Sequence, residues 1–301
     1  MSDAAEAVKS DSPWYLKNYK ESLTKSGRII PKVEVALAKK SADRNSTRDT
    51  QHLHPSELSK KLWCPRSSWY QITGAPKAAE SFSLQRLNVF EEGHSIHHKW
   101  QQWLWDAGLL VGRWYCVDCE STWFAKSPSL CFSCGSTRLK YREVPLRDDE
   151  HRIIGHADGE IEDSRGRALI EIKSVGVGTV RFEKPSLFAD YQIGKLTIDD
   201  VWKNIKSPFM SHIRQGQLYM HCRKVDSIVF IYEWKPTQAV KEFEVKYNAD
   251  IVEPILAGCK TVMHHLELNV APDKPAWATS RSCEGCKFCL FKKECYASDK
   301  P

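Results

Sequence analysis

Apolar and polar positions recur with two different periods along this chain. In RLNVFEEGHSIHHKWQQWLWDAGLL (residues 86–110) the apolar residues Phe90, Ile96, Trp100, Trp103 and Leu104 fall at helical spacing, which predicts a long aromatic helix. Residues 141–175 read as strands instead, as do SIVFIYEW and KEFEVKYN further on. SHIRQGQLYMHC returns to helical spacing, and ADIVEPILAGCKTVMHHLEL predicts a late amphipathic helix. HPSELSKKLWCPRSSWYQITG is expected to be helical with Ser56 as N-cap and a break or bend at Pro65. Residues 1–50 are polar and charge-mixed, and read as a loosely ordered arm with a short helix around KVEVALAKK. The stretch from Val175 to Met210 is expected to form a loop and a helix.

One predicted strand carries charge where buried strands seldom do. In ALIEIKSV, Glu171 and Lys173 sit among Leu169, Ile170 and Ile172; a buried charge is tolerated when it is paired or bound. HADGEIED and ALIEIKSV read as two strands joined by DSRG. If Glu162 faces Arg167 across that turn, the antiparallel register sets Asp158 opposite Glu171, with Lys173 on the same face. Two carboxylates that close repel unless a cation lies between them. A divalent metal fits there, with Lys173 beside it to steer a water or steady a phosphate. Taken alone, Glu-x-Lys is too short to identify anything and more often marks a solvated surface pair.

The company of that pair changes the picture. Gly155–Asp158 followed by Glu171–Lys173 resembles the active-site hairpin of the PD-(D/E)XK nucleases, in the RecB-like branch, where G-x-x-D precedes E-x-K. Two further signatures of that branch follow its order. G-x-x-x-H occurs as Gly93 and His97 on the long predicted helix, and Q-x-x-x-Y as Gln215 and Tyr219, one helical turn apart on one face. Each is weak alone, and His97, in the run His94, His97, His98, also reads as a surface histidine. Jointly they are specific. The resemblance implies an α/β, restriction-endonuclease-like core: a central mixed β-sheet flanked by helices. It implies that His97, Asp158, Glu171 and the main-chain carbonyl of Ile172 hold one or two Mg2+ or Mn2+ ions. Lys173 then orients the nucleophile or offsets charge, and Gln215 and Tyr219 lie beside the hairpin. Asp158, Glu171, Lys173, Gln215 and Tyr219 are the expected catalytic set, and hydrolysis of a DNA phosphodiester is the implied reaction.

The chain holds 11 cysteines, most of them grouped as C-x-x-C, which favours metal. Cys116, Cys119, Cys131 and Cys134 form two knuckles at zinc-ribbon spacing, so tetrahedral Zn2+ is expected, with Gly135 in the tight turn after the second pair. The ribbon interrupts the predicted core. It reads either as a structural staple or as a grip on DNA or a partner through Trp114, Trp123, Phe124 and Lys126. In the tail, Cys286, Cys289 and Cys295 lack a local fourth ligand unless Cys283 serves. One early cysteine, Cys64, with three at the C-terminus resembles the iron–sulfur staple of AddB-type and CRISPR-adaptation nucleases. That resemblance implies a [4Fe–4S] cluster on Cys64, Cys286, Cys289 and Cys295; a second zinc site using Cys283 is the alternative. Cys222 and Cys259 are left as buried thiols.

Composition adds limits rather than direction. The 301 residues include 44 Lys+Arg against 38 Asp+Glu, for a net charge of +6. That mild excess is compatible with nucleic acid without arguing for it. MSDAAEAVKSDSPW lacks the apolar segment of a signal peptide, and no apolar run approaches the ~20 residues of a membrane span. A cytoplasmic protein, of a bacterium or of a phage-infected host, with no membrane partner is therefore expected. The predicted layout is an arm over 1–50, a helical part of the nuclease domain over 51–111, the zinc ribbon over 112–140, the core over 141–270 and the cysteine segment over 271–301. The leading expectation is a metal-dependent DNA exonuclease acting on ends or single strands, in recombination, repair or replication, with helicase or replication proteins as partners. Lys184, Lys195, Lys203 and Lys206 are candidate phosphate contacts, or simply solvated. Two other classes stand beside it: a catalytically silent nuclease-fold scaffold in a larger DNA-processing complex, and a zinc-ribbon RNA-processing factor.

Overall fold

The computed structural model describes residues 27–78, 80 and 82–297. They fall into two units, one drawn from residues 1–48 and 81–88, the other from 49–80 and 89–301. The first unit holds helix α1 (Ile30–Ser46), longer than the short helix expected within it, because Ala36, Leu37, Ala38 and Ala42 favour helix and no glycine or proline interrupts them. The rest of the expected N-terminal arm, residues 1–26, lies outside the described residues. Among the described residues no helix is long and apolar enough to cross a membrane.

In the second unit the segment from His54 to Ile72 is broken, as one of the two expectations for Pro65 had it, into two short helices: α2 (Pro55–Leu58) and α3 (Pro65–Ile72). Each opens on a proline, whose fixed φ and missing N–H cost nothing at the first helical position. The N-cap of α2 is His54, not the expected Ser56, and Cys64 caps α3. Helix α4 (Leu84–Asp106) follows, its residues from Val89 onward belonging to this unit. Its aromatic stripe is only partly buried: Ile96 is 7% exposed, whereas Phe90 and Trp103 are 39% and 51% exposed.

The chain then builds a seven-stranded sheet in the order β2-β1-β6-β7-β8-β9, with β3 also paired to β1. These strands are β1 (Leu110–Cys116), β2 (Thr122–Lys126), β3 (Leu139–Arg142), β6 (Gly159–Asp163), β7 (Gly166–Val175), β8 (Ser227–Trp234) and β9 (Ala239–Lys246). A separate hairpin pairs β4 (Val144–Asp148) with β5 (Ile153–Ala157). The pairing of β7 with β8 is parallel and the others are antiparallel, so the sheet is mixed. The parallel step needs a long crossover. It is made by α5 (Val177–Glu183), α6 (Pro185–Gln192) and α7 (Ile198–Asn204), where one loop and helix were expected, and by α8 (Met210–Arg223), the helix expected from SHIRQGQLYMHC. Helix α9 (Ala249–Glu267) and the short α10 (Lys292–Ala297) close the chain. An α/β core of central mixed sheet and flanking helices is thus observed, with the Cys116–Cys134 ribbon grown out of β1.

Two apolar clusters cover the sheet. Leu169 and Val175 belong to one cluster, with Tyr219 and Met220 of α8; Ile170 and Ile172 belong to the other, with Ile96 of α4. The alternation along β7 therefore sends Glu171 and Lys173 to the α8 side. Helix α8 comes close because Gly216 has no side chain: a Cβ there would meet Phe230 Cζ at 2.6 Å. Gly216→Ala is expected to destabilise the protein by about 1–3 kcal/mol through forced repacking, measurable by denaturant unfolding; an unchanged midpoint would contradict this close packing.

Candidate active site

The register of the charged hairpin is the expected one. Glu162 faces Arg167 and Gly159 faces Ile170, so the next position outward sets Asp158 against Glu171. HADGEIED is nevertheless not one strand. The chain breaks at Asp158, between β5 in the small hairpin and β6 in the main sheet. That break frees the Asp158 carboxylate from a ladder position. Its Oδ2 accepts the Ile172 N–H at 2.6 Å and its Oδ1 lies 2.9 Å from His97 Nδ1. The Asp158 main-chain carbonyl accepts from Gln101 at 3.1 Å and from the Tyr141 hydroxyl at 3.0 Å. Asp158 is buried, 6% exposed, and every hydrogen bond here restricts it to one orientation.

Glu171 is deeper still, 3% exposed. Its Oε1 pairs with Lys173 Nζ at 2.6 Å, while Oε2 is buried with no hydrogen-bond partner. Burial pushes its carboxyl up to about 7, against the pull of Lys173, and Asp158 adds to the rise. Lys173 donates onward to Gln215 Oε1 at 2.9 Å, and Gln215 Nε2 donates to Tyr219 Oη at 2.6 Å. Gln215 and Tyr219 therefore form a rigid support behind the lysine. Burial holds the Tyr219 phenol well above its ordinary pKa, so it stays a neutral hydroxyl. On His97, burial opposes charge, but the Asp158 contact outweighs it and the imidazole pKa is raised.

Glu143 joins the group, and sequence reasoning missed it. One ligand atom each from His97, Glu143 and Asp158 lie within 4.8 Å of one another. Although Glu143 is exposed as a residue, the groups packed round its carboxyl desolvate it and, with the charge of Asp158, push it up to about 7. It stands alone between β3 and β4 with no motif around it, and only the fold reveals it.

An orphaned buried carboxylate oxygen beside a second carboxylate and an imidazole fits a hard divalent cation. His97, Glu143 and Asp158 bring together donors of the kind Mg2+ or Mn2+ takes, and Glu171 lies outside that converging group with its free oxygen in the same charged neighbourhood. Among the expected ligands, Ile172 is seen to contribute its N–H to Asp158. Glu143→Gln is expected to weaken Mn2+ binding about 10-fold or more, read by titration calorimetry; unchanged affinity would remove Glu143 from the set.

Lys173 and Gln215 open onto a groove of about 950 Å3, whose walls include Lys60, Lys61, Arg214, Phe182 and Phe288. Phe182 and Phe288 are 80% and 82% exposed. Of the four lysines expected to contact phosphate, none lines this groove. Lys195 pairs with Asp190 at 3.2 Å and Lys203 with Asp200 at 3.9 Å, while Lys184 and Lys206 are exposed. Lys60, Lys61 and Arg214 join Lys173 as the groove's cations, set against Glu57, Glu183 and Glu284, and no periodic pattern marked them.

The ribbon cysteines converge as their spacing requires. Cys116 and Cys134 sulfurs lie 3.7 Å apart and those of Cys119 and Cys131 3.6 Å apart, all four within 4.8 Å. Tetrahedral zinc with Zn–S bonds of about 2.3 Å separates sulfurs by about 3.8 Å. The two knuckles are copies: the N–H of Glu120 bonds Cys116 O at 3.0 Å and that of Gly135 bonds Cys131 O at 2.9 Å. Both following residues have positive φ, 59° at Glu120 and 73° at Gly135, which costs only the non-glycine. Of the residues expected to grip a partner, Trp114 is fully buried, donating its indole N–H to Ala125 O at 2.9 Å. Lys126 donates to Glu162 O at 2.7 Å; Phe124 is 43% exposed with Arg223 over its ring.

In the tail, Cys64, Cys286, Cys289 and Cys295 line one small cavity with Tyr70 and Tyr296, and Cys283 is not part of that lining. Burial pushes the Cys64 thiol up to about 11, and the neighbouring Cys289 and Cys295 thiols add to the rise. Among the described residues no three of these thiols come within 4.8 Å of one another, and Cys283 contacts Cys286; thiols spread around one cavity would suit a thiolate-ligated cluster rather than a single ion.

No protein-family model and no curated protein matches this sequence. Among solved structures it is similar to the alkaline exonuclease LHK-Exo from Laribacter hongkongensis, at 12% identity and TM-score 0.41 over 73% of this chain and 90% of that one. It is similar to SSO0001 at 14% identity and TM-score 0.42, over 88% and 96% of the two chains. For LHK-Exo in complex with dAMP the values are 12% and 0.38, over 73% and 90%. These likenesses are weak, and the chemistry of the site is set by its own atoms.

Proposed function

We propose that this chain is a divalent-cation-dependent deoxyribonuclease of the PD-(D/E)XK type, in the RecB-like branch, acting on DNA ends or single strands. The observation that supports it most is the Asp158–Glu171–Lys173 constellation: two buried carboxylates from adjoining segments, one with an unpartnered oxygen, and an amine fixed beside them. A solvated surface pair has none of this burial.

Asp158, Glu171, His97 and Glu143 would hold Mg2+ or Mn2+. When bound, such a cation acidifies water and offsets charge gathering on a phosphodiester. The chain's own residues do the rest. Lys173 keeps its ammonium next to Glu171, aimed by Gln215, where it orients the attacking water and balances charge on the phosphate. Tyr219 fixes the Gln215 amide so that its oxygen, not its nitrogen, faces Lys173. Ile172 N–H and His97 stop Asp158 from turning away. The groove with Lys60, Lys61 and Arg214 accepts a phosphate backbone, and exposed Phe182 and Phe288 offer faces on which unpaired bases stack.

In the same proposal the ribbon carries Zn2+, and Cys64, Cys286, Cys289 and Cys295 carry a [4Fe–4S] cluster that ties α3 to the tail. The experiment is digestion of end-labelled single- and double-stranded DNA with Mg2+ or Mn2+, with EDTA as control. Cation-dependent loss of label from ends is the expected result. No cleavage with either ion would leave a DNA-binding scaffold as the better reading, and preference for RNA would favour an RNA-processing factor.

A further inference from the structure

A second group of metal-ligating side chains lies outside the Asp158 site and shares no residue with it. Strand β4 ends on Asp148, the following turn carries His151, and α8 brings in His221. Asp148 Oδ2 lies 2.7 Å from His151 Nδ1 and 3.2 Å from His221 Nε2. One ligand atom from each lies within 4.8 Å of the others. The three side chains are 12%, 5% and 29% exposed, so the group is largely withdrawn from solvent yet open on one side. That side faces a cavity of about 560 Å3 lined by Asp148, His221 and Cys222.

We propose that Asp148, His151 and His221 form a binding site for a borderline divalent transition ion, Zn2+ being the best fit. Two imidazoles and one carboxylate with an open fourth position are a common zinc donor set. Zinc bonds of about 2.0–2.1 Å in a tetrahedron separate ligand atoms by about 3.3 Å; the Asp148–His221 separation of 3.2 Å matches that, and the 2.7 Å Asp148–His151 contact is a hydrogen bond that opens by about 0.6 Å on binding. His151 Nε2 is buried without a hydrogen-bond partner, with Glu150 Oε1 3.7 Å away. With Nδ1 on a metal, Nε2 carries the proton and Glu150 stands where a supporting carboxylate belongs. Glu150 is itself held by Lys260 at 2.9 Å. The site absorbs the histidine of the MHC run in α8 and sets Cys222 beside the open position. Occupied, it fastens the β4–β5 hairpin to the helix that carries Gln215.

The test is metal content together with anomalous diffraction. Full-length protein is equilibrated with Zn2+, desalted and analysed by elemental mass spectrometry, beside His221→Ala. That variant alters a partly exposed position on a helix, where alanine is well tolerated. Wild type is expected to hold one more equivalent of zinc than His221→Ala, with an anomalous peak at the zinc edge about 2 Å from His221 Nε2. Cobalt-substituted protein keeps its thiolate charge-transfer bands in both, which shows the ribbon to be unaffected. Equal zinc in the two proteins, or anomalous density at the cysteines alone, would overturn the proposal and leave a hydrogen-bonded pin. Neither readout depends on nuclease activity.

Discussion

Asp158→Asn and Lys173→Met are each expected to lower cation-dependent DNA cleavage by about 10³-fold or more, as removal of one charged group from a water-excluded site does. The choice of replacement matters because Asp158 is buried and Lys173 is partly so. Asp158 accepts the Ile172 N–H, and Ala there would leave that donor unsatisfied at a cost of about 1–3 kcal/mol. Asparagine keeps an acceptor and removes the charge. Lys173→Met keeps the stem and removes the ammonium from Glu171 and Gln215. Glu171, already pushed up to about 7, then takes a proton instead of remaining a buried bare charge. Both variants should therefore fold, with circular dichroism and melting close to wild type. Cleavage that survives in either folded variant would remove that residue from the chemistry.

The second large effect concerns the tail. Cys64→Ser is expected to abolish iron binding and to destabilise the protein by roughly 3–5 kcal/mol, since the cluster closes a very long loop. Cys283→Ser should retain the iron, because Cys283 does not line the cavity that Cys64 shares with Cys286, Cys289 and Cys295. Anaerobic purification, iron and sulfide content and thermal melting read both variants. The reverse pattern, iron lost with Cys283 and kept without Cys64, would relocate the site to the tail. Colourless protein holding only zinc would replace the cluster by a second zinc site.

How much of this was legible in the sequence depended on whether the signal was local. Glu171 and Lys173 stood out because strand periodicity made their charge anomalous, and the Glu162–Arg167 pairing fixed the register around them. The C-x-x-C knuckles were equally legible, since their spacing is the geometry. Glu143 and the Asp148–His151–His221 group were not, because each depends on segments brought together only by the tertiary fold. The break at Asp158 was hidden for a related reason: β5 and β6 are continuous in pattern and part only because they pair with different strands. Pro65 was legible as a break or bend, and it opens the second helix; Pro55, which opens the first, had drawn no reading. The stripe on α4 was over-read. Trp103 remains half exposed with Lys99 over its ring, a contact that periodicity cannot distinguish from burial.

The central claim is that Asp158 and Glu171 share a divalent cation beside Lys173, and a crystal soaked in Mn2+ tests it most directly. The account predicts an anomalous manganese peak within about 2.0–2.6 Å of oxygens of both carboxylates, with His97 or Glu143 among the other ligands. Well-ordered side chains at Asp158 and Glu171 with no manganese between them would contradict it.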